Sequence, residues 1–453
     1  MMRLLVLATF ALTTATASSP VPVSSPAPET LATLWRAEHV SPPVTPLVDH
    51  TEVKRRLDTI ARTPGSVLHV TQVGASLEGR EIYDVSFGTG PYVVFLWSQM
   101  HGDEGTATSA LVDLYAYIDR HHTEPFVAGL LSSLTVHTVP MLNPDGAERW
   151  QRRNAQGIDI NRDALLLQSP EGRLLKQLRD RWQPKVGVNL HNQNWRTSIG
   201  APPVGAAISL LSVAFDAAKS MSPGRVLTRQ LASVVRDSLE PLAPGRIGKY
   251  DDAFEERAFG DNMTKWGTPV LLIETGPYPE PNPDPTLVRL NFVALVRALG
   301  ALADGSVTSA DPARYDQLPM NESQNLHTII RHVTIVTGNG LPPFMGDVGI
   351  NATRRVRVEN GARTVIESNQ IDDIGDLRTS GRLFDVDGTG KTLAPLVPGA
   401  VVGAEISLPA WTAASPSATL VLNGYPAQLM LLAPRGSDRY VVERVFAAQM
   451  TVK

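Results

Sequence analysis

The sequence predicts an α/β protein: an α/β/α sandwich with a mixed, largely parallel sheet over residues 46–305, followed by a smaller all-β sandwich domain over 328–453. Three observations lead there. Between about 50 and 305, short β-rich runs alternate with helical ones. Several runs, such as Val93-Val94-Phe95-Leu96, are apolar at successive positions, which suits strands buried on both faces. Beyond Asp304-Gly305-Ser306 and Asp311-Pro312, short runs alternate with Gly, Pro and Asp turns, the texture of an all-β domain.

The elements follow in order. Met1-Met2-Arg3, the apolar stretch Leu4 to Leu12 and the small residues Ala15-Thr16-Ala17 predict a signal peptide over 1–17, so the protein is expected to be exported, periplasmic or secreted. Residues 18–45, opening with Ser18-Ser19-Pro20-Val21-Pro22, read as a flexible leader. Strands are expected at Leu68-Val73, Glu81-Phe87, Tyr92-Trp97, Leu134-Pro140, Lys185-Leu190 and Pro269-Ile273. Helices are expected over about 104–120, 170–182, 225–239 and 285–303. Residues 306–327 read as a linker; the later strands include Val333-Thr337, Arg355-Val358, Ala404-Leu408 and Tyr440-Val442.

Composition narrows the function. The 453 residues are 43% hydrophobic and 19% charged, ordinary for a globular protein. A formal net charge of -4, with no long basic run, argues against nucleic-acid binding. No apolar segment after the N-terminal one is read as reaching transmembrane length, so no membrane span is expected in the mature chain. Cysteine is absent, which excludes disulfides and thiolate metal ligands.

The chemistry concentrates at the ends of apolar runs. His101 and Glu104 follow Trp97-Ser98-Gln99-Met100, His191 closes Val186-Gly187-Val188-Asn189-Leu190, and Glu274 closes Val270-Leu271-Leu272-Ile273. In an open α/β sheet, ligands bind beyond the carboxyl ends of the strands. Two imidazoles and one carboxylate leave a fourth zinc position open for water, as a hydrolytic site requires. Taken alone, each piece has a plainer reading: a helix-capping segment with a surface Glu, a hydrogen-bonded structural His, a solvated acid. For Glu274 the plainer reading has a cost, because an ionised carboxylate buried at the end of such a strand is unfavourable unless paired or used. Between these pieces lie Asn143-Pro144-Asp145-Gly146 and Arg152-Arg153-Asn154-Ala155-Gln156-Gly157-Ile158-Asp159-Ile160-Asn161-Arg162, whose guanidinium groups suit a carboxylate and a developing oxyanion.

Residues about 50–305 thereby resemble the zinc carboxypeptidase family, whose pattern runs H-x-x-E, N-P-D-G, an Arg-rich segment ending in G-x-D-x-N-R, a lone His and a late Glu. The resemblance implies one zinc per chain held by His101, Glu104 and His191, with Glu274 as general base and acid. It implies Arg152 (or its neighbour Arg153) at the scissile carbonyl, Asn161 and Arg162 on the substrate's C-terminal carboxylate, and Asp159 behind a ligand histidine. It further implies a mobile-loop tyrosine, for which Tyr250 is the best candidate, and a peptide substrate with a free C-terminal carboxylate. Asp163 stands where many members carry a second Asn, and Leu272 where many carry Thr.

The C-terminal region is loosely similar to the β-sandwich of amidohydrolases through Val333-Thr334-Ile335-Val336-Thr337-Gly338, Gly346-Asp347-Val348-Gly349-Ile350, Ile374-Gly375-Asp376 and Ala418-Thr419-Leu420-Val421-Leu422. It is expected to be a non-catalytic accessory. The expectation is an exported zinc metallopeptidase hydrolysing C-terminal peptide bonds. Two alternatives stay open: an amidase or peptidase acting on cell-wall peptides, and a non-catalytic peptide-binding protein on the same scaffold.

Overall fold

The computed structural model describes residues 25–41, 48–359, 362–407 and 420–452. The expected signal peptide lies outside them. Helices α1 (Pro28–Glu38) and α2 (His50–Arg62) precede strands β1 (Leu68–Ala75), β2 (Glu81–Phe87) and β3 (Tyr92–Ser98). Then come α3 (Thr106–His121), α4 (Pro125–Ser133), β4 (Leu134–Val139), α5 (Pro144–Arg149), α6 (Pro170–Trp182) and β5 (Val186–Asn192). Short strands β6 (Thr197–Ile199) and β7 (Val204–Gly205) lead to β8 (Ile208–Ser212), α7 (Pro223–Leu239), β9 (Ile247–Lys249), α8 (Phe259–Lys265), β10 (Val270–Thr275) and α9 (Asp284–Ala303).

Eight strands form one mixed sheet in the order β1-β2-β4-β3-β5-β10-β8-β9. Its centre, β4-β3-β5-β10, is parallel throughout. Side chains of β5 and β10 are buried on both faces, β10 through the apolar run Val270–Ile273 and β5 with Asn189 buried among its apolar residues. One apolar core holds Leu111 of α3, Leu231 of α7 and Phe292 of α9. A second, on the opposite face, holds Leu174 of α6 and Phe259 of α8. Helices on both faces of the sheet make the α/β/α sandwich. Local signals start the helices: Ser169 and Ser222 cap α6 and α7 by accepting from Gly172 N and Arg225 N, each followed by a proline at the first helical position.

Three expectations need correction. Within the segment read as a flexible leader, Pro28–Glu38 is a helix: Leu31, Ala32 and Trp35 share one buried face, and Trp35 Nε1 donates to Asp113 Oδ2 at 2.7 Å. An apolar helical stripe under a Pro-rich start outweighs the loop composition around it. The helix Asp284–Ala303 is, contrary to expectation, long and apolar enough to cross a membrane, but it is mostly buried in the core between sheet and helices.

Residues 306–327 are more structured than a linker, with α10 (Ala313–Asp316) and β11 (Glu322–Ser323), which pairs with β6. Among the described residues nine strands follow: β12 (Asn325–Ile335), β13 (Phe344–Glu359), β14 (Ala362–Gly375), β15 (Gly381–Asp387), β16 (Thr392–Pro395), β17 (Glu405–Ser407), β18 (Leu429–Pro434), β19 (Arg439–Phe446) and β20 (Gln449–Val452). They hydrogen-bond into one sheet, mostly antiparallel. The chain entering β18 bonds back to β14 through Ile371 N to Tyr425 O and Ala427 N to Asn369 O, so the sheet curls over a core of residues such as Ile330, Val348, Ile371 and Leu429.

Candidate metal centre

Three central parallel strands end at one edge, and each delivers a polar side chain there. Glu274 lies directly beside His191 in the β10–β5 register, and β3 stops at Ser98, opposite Leu190, three residues before His101. Between Ser98 and α3 the chain makes a tight turn that brings Glu104 back over His101. Gln99 holds this turn at φ 51°, its side-chain Nε2 donating to Gly102 O at 2.9 Å and its Oε1 accepting from Thr108 Oγ1 at 2.8 Å.

Gly102 is required here for close approach. A Cβ on it would sit 2.0 Å from the carbonyl carbon of Gly146 and 2.3 Å from Ala147 N, inside α5. The Asn-Pro-Asp-Gly block is therefore the floor beneath the metal-ligand turn. Asn143 Oδ1 caps α5 by accepting from Gly146 N at 2.9 Å, and its Nδ2 donates to Met100 O at 3.2 Å. Fully buried Asp145 accepts from Ser76 Oγ at 2.7 Å and pairs with Arg80 at 2.6 Å.

His101 Nδ1 lies 2.8 Å from Glu104 Oε1, His191 Nδ1 lies 2.7 Å from Glu104 Oε2, and the two Nδ1 atoms are 3.1 Å apart. All three side chains are buried, and their ligand atoms lie within 4.8 Å of one another. Two imidazole lone pairs facing each other across 3.1 Å repel unless a proton or cation sits between them. Two nitrogens and a carboxylate are donors that zinc takes, and the set suits one zinc with a position left open.

The surroundings fit the same ion. His101 Nε2–H donates to Asp159 Oδ1 at 3.1 Å, which directs the Nδ1 lone pair at the site. Asp159 also accepts from Arg152 Nε at 2.9 Å. The Arg152 guanidinium reaches within 3.1 Å of His101 Nδ1 and 3.5 Å of Glu104 Oε1, while its side chain stays 43% exposed toward the opening. Arg153 instead turns outward to Gly157 O. Buried Glu274 Oε2 and His191 Nε2 have no hydrogen-bond partner among the described residues.

Charge follows from this packing. Burial opposes the cation on His101, but Glu104 and Asp159 outweigh it and push its pKa up to about 9. Burial likewise lowers His191 against the attraction of Glu104. The two imidazoles hold Glu104 below the usual carboxylate range despite its burial. Glu274 is pushed up to about 8, chiefly by burial and then by the charge of Glu104.

The other sequence-derived candidates make contacts of their own. Asn161 Oδ1 accepts from Phe259 N at 2.9 Å, and Arg162 lies 3.4 Å from Glu255. Tyr250, 39% exposed just after β9, lies within electrostatic reach of Glu274, Arg152, Glu104 and Arg162. Asp163 accepts from Gln168 N and from Ser169 N and Oγ, a turn-holding role. Leu272 packs in the apolar core beneath the site. Sequence reasoning missed Asp103, Gln193 and Tyr278, and missed every contribution from the β region, including His327, Arg354 and Phe384. All of these line a cavity beside Glu104. They come from separate elements with no shared spacing, so no local signal marked them.

Known proteins similar to this chain are zinc carboxypeptidases and their relatives. Residues 53–203 match the family described as zinc carboxypeptidase. Mouse carboxypeptidase M is 28% identical over 128 residues, covering 24% of this chain and 28% of that protein. Carboxypeptidase 2 of Trichophyton rubrum is 27% identical over 160 residues, covering 35% of this chain and 28% of that protein. The chain thus spans about a third or less of the length of these relatives. Among solved structures, carboxypeptidase A from Helicoverpa armigera is similar at 16% identity, covering 62% of this chain and 80% of that one with a TM-score of 0.46. The resemblance to the zinc carboxypeptidase family is borne out, and four of the five sequence blocks, all but Glu274, lie within the matched residues.

Proposed function

From the premise that residues 53–203 carry a zinc carboxypeptidase-type domain, we propose that this protein is an exported zinc metallopeptidase that removes C-terminal residues from peptides. One observation carries the reading. Glu274, a buried carboxylate without a hydrogen-bond partner on its Oε2, stands in register beside His191 where His101 and Glu104 converge. Such a carboxylate is costly to bury, and among the described residues its Oε2 has no hydrogen-bond partner to offset that cost.

Zinc, when bound, polarises a carbonyl and brings the pKa of water down to about 7. The chain's own residues supply the rest. Glu274 takes the proton of the attacking water and delivers it to the leaving amine, a task suited to a carboxylate whose proton affinity burial has raised. Arg152, oriented by Asp159 and open to the solvent side, meets the carbonyl oxygen as negative charge develops. Asn161 and Arg162 receive the C-terminal carboxylate, and Tyr250 covers the substrate. Asp159 keeps His101 in the tautomer that presents Nδ1.

The test is a pair of peptides identical except for a free or amidated C-terminus, incubated with the zinc-loaded protein and followed by mass spectrometry. Stepwise loss of C-terminal residues from the free peptide only, abolished by a chelator, is the expected outcome. Efficient cleavage of the amidated peptide would shift the assignment to an amidase. A protein that holds zinc and binds both peptides but cleaves neither would be a binding scaffold. Export is tested separately by locating the protein in fractionated cells and sequencing its N-terminus, expected near Ser18.

A further inference from the structure

Beside the metal centre, a cavity of about 970 Å³ opens between the α/β sandwich and the β region. Glu104 and Arg152 are among the residues that line it. Its side walls come from Trp195 in the loop after ligand His191, and from His327 and Phe384 in the β region. The volume lies at the upper end of the roughly 300–1,000 Å³ of small-ligand sites, so it has room for a peptide segment and not only one side chain.

Its shape is held by contacts between the two regions. Trp195 Nε1 donates to Ala352 O at 2.8 Å, and its ring meets His327 edge-on at 5.6 Å. His327 packs in turn against Phe384 at 5.3 Å. The next residue, Arg196, forms a two-pronged pair with Asp372 at 3.2 and 3.0 Å, and Asn325 Nδ2 donates to Thr197 O at 2.9 Å. The loop that leaves the metal ligand is thus bolted to the β region. Asn161 and Arg162 lie elsewhere, beside Phe259 and Glu255. With the C-terminal carboxylate held there, the chain on the N-terminal side of the scissile bond is directed into the cavity.

We infer that the β region is part of the substrate site: it supplies the wall that binds the N-terminal side of the peptide, and its aromatic surface selects an aromatic or large apolar residue there. This inference rests on the carboxypeptidase reading for the direction of the substrate. Trp195, His327 and Phe384 offer rings whose faces and edges suit another aromatic group.

The test uses the zinc-loaded full chain and acetylated pentapeptides sharing one C-terminal residue. A single phenylalanine is moved through the three positions before it, the others being glycine. At one position at least, kcat/KM should exceed that of the all-glycine parent by about tenfold, the effect of burying one such ring. Phe384→Ala should erase that preference through KM with little change in kcat. Thr353→Trp, which adds bulk at an exposed position of the cavity rim, should do the same without disturbing the β-region core. Equal rates for all peptides, or a preference untouched by both variants, would overturn the inference. The same peptides titrated into Glu274→Gln separate the two readings. A phenylalanine preference in binding, with no hydrolysis by the wild-type protein, would sink the peptidase assignment and leave the cavity's role standing.

Discussion

Gly102→Ala is the sharpest perturbation the metal centre offers, because it changes no ligand and adds one methyl group. That methyl would lie 2.0 Å from the Gly146 carbonyl carbon, some 1.4 Å short of the 3.4 Å at which ordinary contact begins. The obstacle is backbone inside α5, so no side chain can swing aside. The His101–Glu104 turn and α5 must separate, and Asn143 loses its hold on Met100 O. Metal–ligand distances tolerate only about 0.2 Å, so a displacement several times larger takes His101 or Glu104 out of reach of a shared ion. Overpacking of this kind costs about 1–3 kcal/mol in the metal-free protein, a fall in Tm of several degrees at roughly 2–4 °C per kcal/mol. The assay is zinc content after dialysis against a weak chelator, with thermal unfolding of the metal-free protein measured alongside. The variant should emerge largely free of zinc and with a lowered Tm. Wild-type zinc retention together with an unchanged Tm would refute the close-approach argument.

Other predictions follow the same chain of contacts. Glu274→Gln should keep zinc but lower kcat by about 10²–10⁴, the usual contribution of a positioned general base; undiminished turnover would remove Glu274 from the mechanism. Asp159→Ala, which strips His101 Nε2 and Arg152 of their shared acceptor, should weaken zinc binding about 10–100-fold, read by competition with a chromogenic chelator. The pH dependence has a definite sign. In the metal-free protein the His101 pKa is raised to about 9 from an ordinary value of 6.5, so its stabilising contribution is complete below pH 6.5 and disappears as pH rises through 9. Zinc must displace that proton, so calorimetry in buffers of different ionisation enthalpy should detect proton release at pH 7, fading toward pH 9. Binding that releases no proton at neutral pH would count against His101 as a ligand.

Much of the α/β sandwich was legible locally. Six strands and four helices were expected within two or three residues of where they lie, since apolar runs and proline-serine starts act over short distances. The strands β8 and β9 went unread, although Ile208–Ser212 is fully buried, because Ser209 and Ser212 break its apolar run. The candidate site residues stood out for a related reason: His191 and Glu274 close strands and His101 and Glu104 lie in the turn that follows one, where a polar group after an apolar run is conspicuous. Arg152 and Arg153 were not separable by sequence; only the fold directs one to Asp159 and the other to Gly157.

What the order of residues determined alone was the periodicity of each element and the chemical identity of the groups at its ends. Whether His101, Glu104, His191 and Glu274 meet was decided by strand order, because β3, β5 and β10 become neighbours only when the sheet assembles. The same holds for the cavity. Trp195 and Ala352 are 157 residues apart, and no local pattern foretells that hydrogen bond. Short-range sterics and hydrophobic spacing are written in neighbouring residues. Convergence from distant segments depends on how whole layers pack, and that exists only in the folded chain.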